Sequence, residues 1–192
     1  METVLLCIVA VAILIVLFTK LYFMHLGVEN VIAKKDSRSA FVVDEQTEDS
    51  LTFSTNVEFV NEGKQCTVVM DCFVRPQLPY EQYDGVETRG HAELLSAPRE
   101  DDYFEAYIIQ RKGYGKDLDR ATIKAQIKLI ARHGMTIKEA ISKMPDFNFL
   151  IIWMEAGRLE AHYRQVRIEV PAAEIAKLVG TELVEASGGH LT

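Results

Sequence analysis

Two of the three cysteines in this chain fall within one seven-residue stretch, CTVVMDC, as Cys66 and Cys72. A disulfide, a thiolate clamp on a metal, or a pair of core thiols would each use those residue types. If the stretch is an extended strand, the separation spans about 20 Å at ~3.3 Å per residue, whereas bridged cysteines need Cα atoms within about 7 Å. The same separation excludes a shared mononuclear zinc, whose sulfur ligands sit about 2.3 Å from the metal. Cys7 lies in a long apolar run and offers neither of them a partner. The expectation is two free thiols on the apolar face of a strand, with Cys66, Val68, Met70 and Cys72 buried together and Thr67 and Asp71 on the opposite face.

The other reactive side chains are dispersed. His25, His91, His133, His162 and His190 stand well away in sequence from Cys66 and Cys72, which disfavours the Cys-His-Met cluster of electron-transfer copper. PREDDYFEA places Glu100, Asp101 and Asp102 in succession at an expected strand connection. Such a loop offers the oxygen ligands Ca²⁺ prefers, although acids after a proline are also ordinary turn chemistry. His91 and Glu93 share a strand face with Glu87 and Arg89, a row better suited to cross-strand charge pairing than to acid–base catalysis, which needs a pocket and a nucleophile. KGYGK, residues 112 to 116, lacks the spacing and the following Ser or Thr of a phosphate loop. No catalytic residue and no cofactor is assigned.

The stretch with most to offer a partner is RPQLPYEQYDGVE. Pro-x-x-Pro segments dock in aromatic grooves and tyrosines anchor interfaces, which makes Arg75, Pro76, Pro79, Tyr80 and Tyr83 candidate contact residues. The same segment would also serve as a rigid crossover between two sheets, its tyrosines covering the edge of the core.

The elements that must position these residues are mainly strands. In LTFSTNVEFV, Leu51, Phe53, Thr55, Val57 and Phe59 alternate with polar neighbours, the pattern of a half-buried strand. Asn61-Glu62-Gly63-Lys64 carries turn chemistry and predicts a hairpin back into a second strand from Gln65. Further strands are expected at 86–97, 103–111, 121–132, 147–155 and 159–170. FNFLIIWME is apolar on both faces, which predicts a central strand covered on each side. Thr136 and Glu139 form a capping box ahead of Ile137, Ala140, Ile141 and Met144, and Pro145 ends that helix. Pro171 opens a terminal amphipathic helix through Ile175, Leu178 and Val179.

The strongest single signal is at the N-terminus, where residues 3 to 19 carry no charge and LYFM extends the apolar run past Lys20. About 20 apolar residues cross a ~30 Å hydrocarbon layer. Leu5, Ile8, Ile13, Leu14, Ile15, Leu17 and Phe18 would face lipid, Lys20 would snorkel, and Tyr22 and Phe23 would sit in the aromatic belt. A cleaved signal peptide is the rival, but no basic residue precedes the run and no A-x-A-like site follows it. Lys20, Lys34, Lys35 and Arg38 follow the span while Glu2 alone precedes it; the positive-inside rule then favours a cytoplasmic domain, an outward-facing one being the alternative. In LYFMHLGVENVIAKK, apolar residues at helical spacing predict that the helix continues beyond the bilayer, or else that a short stalk packs on its own domain. Residues 36 to 50 read as an acidic linker.

Together these readings predict a mainly β protein: an antiparallel β-sandwich of immunoglobulin or fibronectin type III size, with about seven strands, one short helix, a C-terminal helix and an N-terminal transmembrane helix. The Cys…Trp…Cys spacing of true immunoglobulin domains is absent, since Trp153 follows both strand cysteines. The expected divisions are an anchor at 1–24, a juxtamembrane helix and acidic linker at 25–50, the sandwich at 51–171, and a C-terminal helix and tail at 172–192. From Ser39 onward, 17 Lys and Arg face 25 Asp and Glu, an acidic balance that argues against nucleic acid as a partner. The function expected is that of a membrane-anchored, non-catalytic interaction protein or accessory subunit, partnered by the bilayer and another protein. The alternative is a hydrolase or divalent-cation-dependent binding module built on Glu100, Asp101, Asp102 and His91.

Overall fold

Apolar side chains cover every face of α1 (Glu2–Leu26), and none of its residues is buried against the other described residues. By length and composition it can cross a membrane. The computed structural model describes residues 2–99 and 104–184. Gly27, at φ +68°, ends the helix in the left-handed geometry that glycine adopts without a Cβ clash. Of the two readings of this stretch, the stalk is the one that forms and not the continued helix: residues 28–30 bond the turn at 61–64, and β1 (Val31–Ala33) joins a sheet.

Two antiparallel sheets form the sandwich. The first has the order β1-β3-β7-β5, with β2 (Val42–Gln46) also paired to β3 (Ser50–Asn61). β1 pairs with residues 59–61 of β3 and β2 with residues 51–54, so the two make one broken edge strand around a 3₁₀ turn at Lys35–Ser37. β7 (Arg120–Ala131) pairs with β3 on its other side, and β5 (Val86–Leu94) forms the far edge. The second sheet has the order β6-β4-β8-β9, from Tyr107–Ile109, Thr67–Gln77, Phe147–Ala156 and His162–Val170. Nine strands among the described residues exceed the expected seven, because β1 and β2 come from the stretch expected as juxtamembrane helix and acidic linker.

The expected β3–β4 hairpin does not form, since the two strands lie in different sheets. The turn residues bond elsewhere: Asn61 Oδ1 accepts from the N–H groups of Gly63 and Asn30, and the N–H groups of Glu62 and Lys64 donate to the carbonyls of Asn30 and Val28. A Cβ on Gly63 would lie 2.5 Å from Asn30 N and Val28 O, so glycine lets the stalk and the turn meet. The turn becomes an arch over the edge of the core.

The thiol stretch is corrected as well. β4 carries a bulge between Met70 and Phe73, where two residues oppose the single Trp153 of β8. Asp71 adopts φ +48°, a conformation short acidic side chains tolerate. The extra residue reverses the alternation. Thr67 and Val69 point inward before it and Cys72 and Val74 after it, while Cys66 is exposed and Val68 and Met70 are half-buried. Only Cys72 of the two thiols belongs to the core.

Phe59 and Trp153 meet edge-to-face across the sheets at 4.8 Å, and Phe41 and Phe53 at 5.3 Å, contacts worth about 0.5–1.5 kcal/mol each beyond area burial. The end of the core away from α1 is closed by α2 (Ile137–Ser142) and α3 (Ala172–Val179). The Thr136–Glu139 capping box is present in both directions, and α3 ends on left-handed Gly180.

Candidate functional site: an uncovered apolar sheet face

β8 is central in its sheet, but among the described residues the expected cover on both its faces is missing on one. Phe147, Phe149, Ile151 and Trp153 are buried, whereas Leu150, Ile152 and Met154 are half-buried on the outer side. Strand register extends that outer side into a patch. In register, Val68 lies between Ile108 and Ala156, Met154 between Met70 and Tyr163, and Leu150 between Arg75 and Arg167, while Phe73 lies beside Ile152. Ile108, Phe73 and Tyr163 are 62%, 37% and 56% exposed. One apolar field thus crosses four strands. Cations frame it at one end: the Arg75 guanidinium lies 5.8 Å from the Phe73 ring, and Arg167 donates to Gln77 Oε1 at 3.5 Å. At the other margin the Tyr163 hydroxyl donates to Asp71 Oδ2 at 3.4 Å. Apolar rings and methionines on rigid strands, rimmed by arginine, have the composition of an interface core.

The loop expected to bind a partner leaves this patch at the end of β4 and crosses to the first sheet. Arg75 and Pro76 are in β4, and Pro76 pairs in register with buried Phe149. Pro79 and Tyr80 are exposed, and Arg132 lies 5.7 Å from the Tyr80 ring. Tyr83 turns inward instead, its hydroxyl donating to the carbonyl of Ala140 at 2.5 Å, and burial followed by the neighbouring Asp84 charge pushes its pKa up. Of the two tyrosines, only Tyr80 is presented to solvent.

His91 lies on the outer face of β5, in a groove of about 470 Å³ shared with Arg89, Gly90, Gln126 and Lys128. Glu100, Asp101 and Asp102 lie outside the described residues. Among the described residues, no three His, Cys, Asp or Glu side chains come together as a metal site.

A buried polar network was missed by the sequence reading. Glu155, 1% exposed, accepts from Trp153 Nε1 at 3.0 Å and lies 3.4 Å from Arg164 Nη1. Arg164 also donates to Asn30 Oδ1 at 3.0 Å. Tyr107 and Glu155 flank Val69 in register on the inner face; burial, then the nearby Cys72 and Glu155, raise the Tyr107 pKa well above its usual value. The signal was available, because Glu155 continues the inward alternation of Phe147, Phe149, Ile151 and Trp153.

The same network clamps the base of α1. Gln65 Nε2 donates to Leu26 O at 2.8 Å, Arg158 Nη1 to Gly27 O at 3.0 Å, and the Leu159 N–H to Glu29 Oε1 at 2.8 Å. The Arg158 guanidinium also lies 4.8 Å from the Phe23 ring. Two loops distant in sequence therefore grip the residues that follow the helix.

No family model matches the chain, and no curated protein matches it. Two solved structures are similar in outline. The crystal structure of the GAE domain of GGA2p from Saccharomyces cerevisiae matches 76% of this chain and 99% of its own, with 7% identity and a TM-score of 0.32. That of the yeast GGA1 GAE domain matches 67% and 97%, with 9% identity and a TM-score of 0.28. These are loose likenesses, and no residue or activity is carried over from them.

Proposed function

We propose that this chain is a membrane-tethered, non-catalytic β-sandwich that docks a protein partner on the outer face of its second sheet, as an accessory subunit of a membrane assembly. The observation that carries this reading is the apolar field of Ile108, Met70, Met154, Phe73 and Ile152, held on three rigid strands without cover from the other described residues. Arg75, Pro76, Pro79 and Tyr80 would extend the contact toward the far end. The unburied apolar helix α1 supports the tether, and the basic residues that follow it favour the cytoplasmic side.

The test is site-specific photocrosslinking in native membranes. A photoreactive side chain at Phe73 or Met154 should give one discrete adduct, absent when the probe stands at Thr122 on the outer face of the other sheet. Phe73→Asp with Met154→Lys should abolish that adduct from a probe at Ile152 while leaving the melting temperature within a few degrees, since surface changes cost about 0.5 kcal/mol or less. Adducts of equal yield at all positions, or none at Phe73 and Met154, would remove the sheet face as the docking site.

A further inference from the structure

We propose that the α1-proximal end of the sandwich is a basic collar for anionic lipid, in which Lys64, Arg111, Lys112 and Arg158 contact negatively charged headgroups around the base of α1. The inference rests on reading α1 as a membrane span. These four cations come from three separate loops, yet folding brings them to one place. The Lys112 N–H donates to the carbonyl of Gly63, Arg158 bonds Gly27 and overlies Phe23, and His25, Leu26, Lys64, Arg111 and Lys112 line one hollow beside the helix.

All four are exposed, and among the described residues none is in a salt bridge. Of the nearby acids, Glu62, which lines the same hollow, pairs with Lys34, and Asp117, Asp119 and Glu58 share Arg120; Glu160 is exposed in the Arg158 turn. This grouping stands out on a domain with a marked excess of carboxylates. Tyr114, its ring 5.8 Å from the Arg111 guanidinium, Leu118 and Leu159 are exposed at the same end, with Tyr114 at 59%. Cations that reach headgroups beside an aromatic ring and aliphatic tips form the surface that a charged interface attracts.

The test uses the full chain in nanodiscs of phosphatidylcholine alone or with phosphatidylserine, the lipids carrying a headgroup nitroxide. With Tyr114→Trp as reporter and buried Trp153 as constant background, the introduced indole should be quenched more strongly in anionic discs. The excess should fade in about 0.5 M salt, where the Debye length is only a few Å. Arg111→Glu with Lys112→Glu should weaken the anionic-lipid dependence by about fivefold or more per cation lost. Equal quenching in both lipids, or none, in protein that resists alkaline carbonate extraction would overturn the collar alone. Extraction by carbonate would overturn the span, and the collar with it.

Discussion

Across 130 residues of sequence, the backbone N–H of Leu159 donates to the Glu29 carboxylate at 2.8 Å, tying the β8–β9 turn to the stalk behind α1. Glu29 is almost fully buried, so Glu29→Ala would leave that N–H without its acceptor. The expected cost is about 1–3 kcal/mol, read as a lowered denaturation midpoint. Amide exchange at Leu159 should accelerate in the same variant. Unchanged protection there would show that the bond does not hold the turn.

Gly63 tests the arch. Its ideal Cβ would sit 2.5 Å from two backbone atoms of the stalk, and backbone cannot yield as a side-chain tip does. Gly63→Ala should destabilise the domain by about 1–3 kcal/mol through overpacking. A full-length Gly63→Ala chain that melts like the parent would mean that the stalk is free to move away from the turn.

Acid should weaken the fold at identifiable carboxylates. The Thr136 N–H and hydroxyl lower the Glu139 pKa, and the Gly113 N–H followed by Arg120 lowers that of Asp119. Both groups bind a proton less readily folded than unfolded. Their contribution is therefore complete above the ordinary carboxylate range and lost as pH falls through the depressed folded values. Thermal midpoints measured downward from pH 6 should decline, and Glu139→Gln and Asp119→Asn should each flatten that decline. An identical acid slope in both variants would place the lost protonation energy elsewhere.

Thr136 can be separated from Glu139. Its side chain accepts from the Glu139 N–H, and Thr136→Ala should cost about 1 kcal/mol through loss of the N-cap. Circular dichroism melts at neutral pH give the comparison; no change would show that tertiary contacts of Ile137, Ala140 and Ile141 fix the helix unaided.

Much of the scaffold was legible because its signals are local. β3, β5, β7, β8 and β9 alternate with period two, and the Thr136–Glu139 box and Pro171 mark helix starts by capping chemistry. β1 and β2 were not legible, since Val31–Ala33 is too short to show a period and Val42–Gln46 sits in acidic text. Sheet partnership was not legible either. β3 and β4 carry hairpin patterning, yet Asn61 and Gly63 bond the stalk, and that choice depends on residues thirty positions away. The apolar outer face is least visible of all, because it exists only in the register of four strands and no single segment contains it. Residue by residue, Val68, Met70 and Met154 look like core.

Asp71 sets the sidedness of β4 by a count of one. Flatten the bulge so that Asp71 takes a regular place in the ladder, keep the second half of the strand in position, and the first half rotates by one position. Met70 and Val68 would then turn inward, while Thr67 and Val69 would come out. The apolar field would lose its second-strand methionine and valine to polar and smaller neighbours, with no change in composition. Whether the bulge forms, more than which residues flank it, is therefore what creates or erases such a surface.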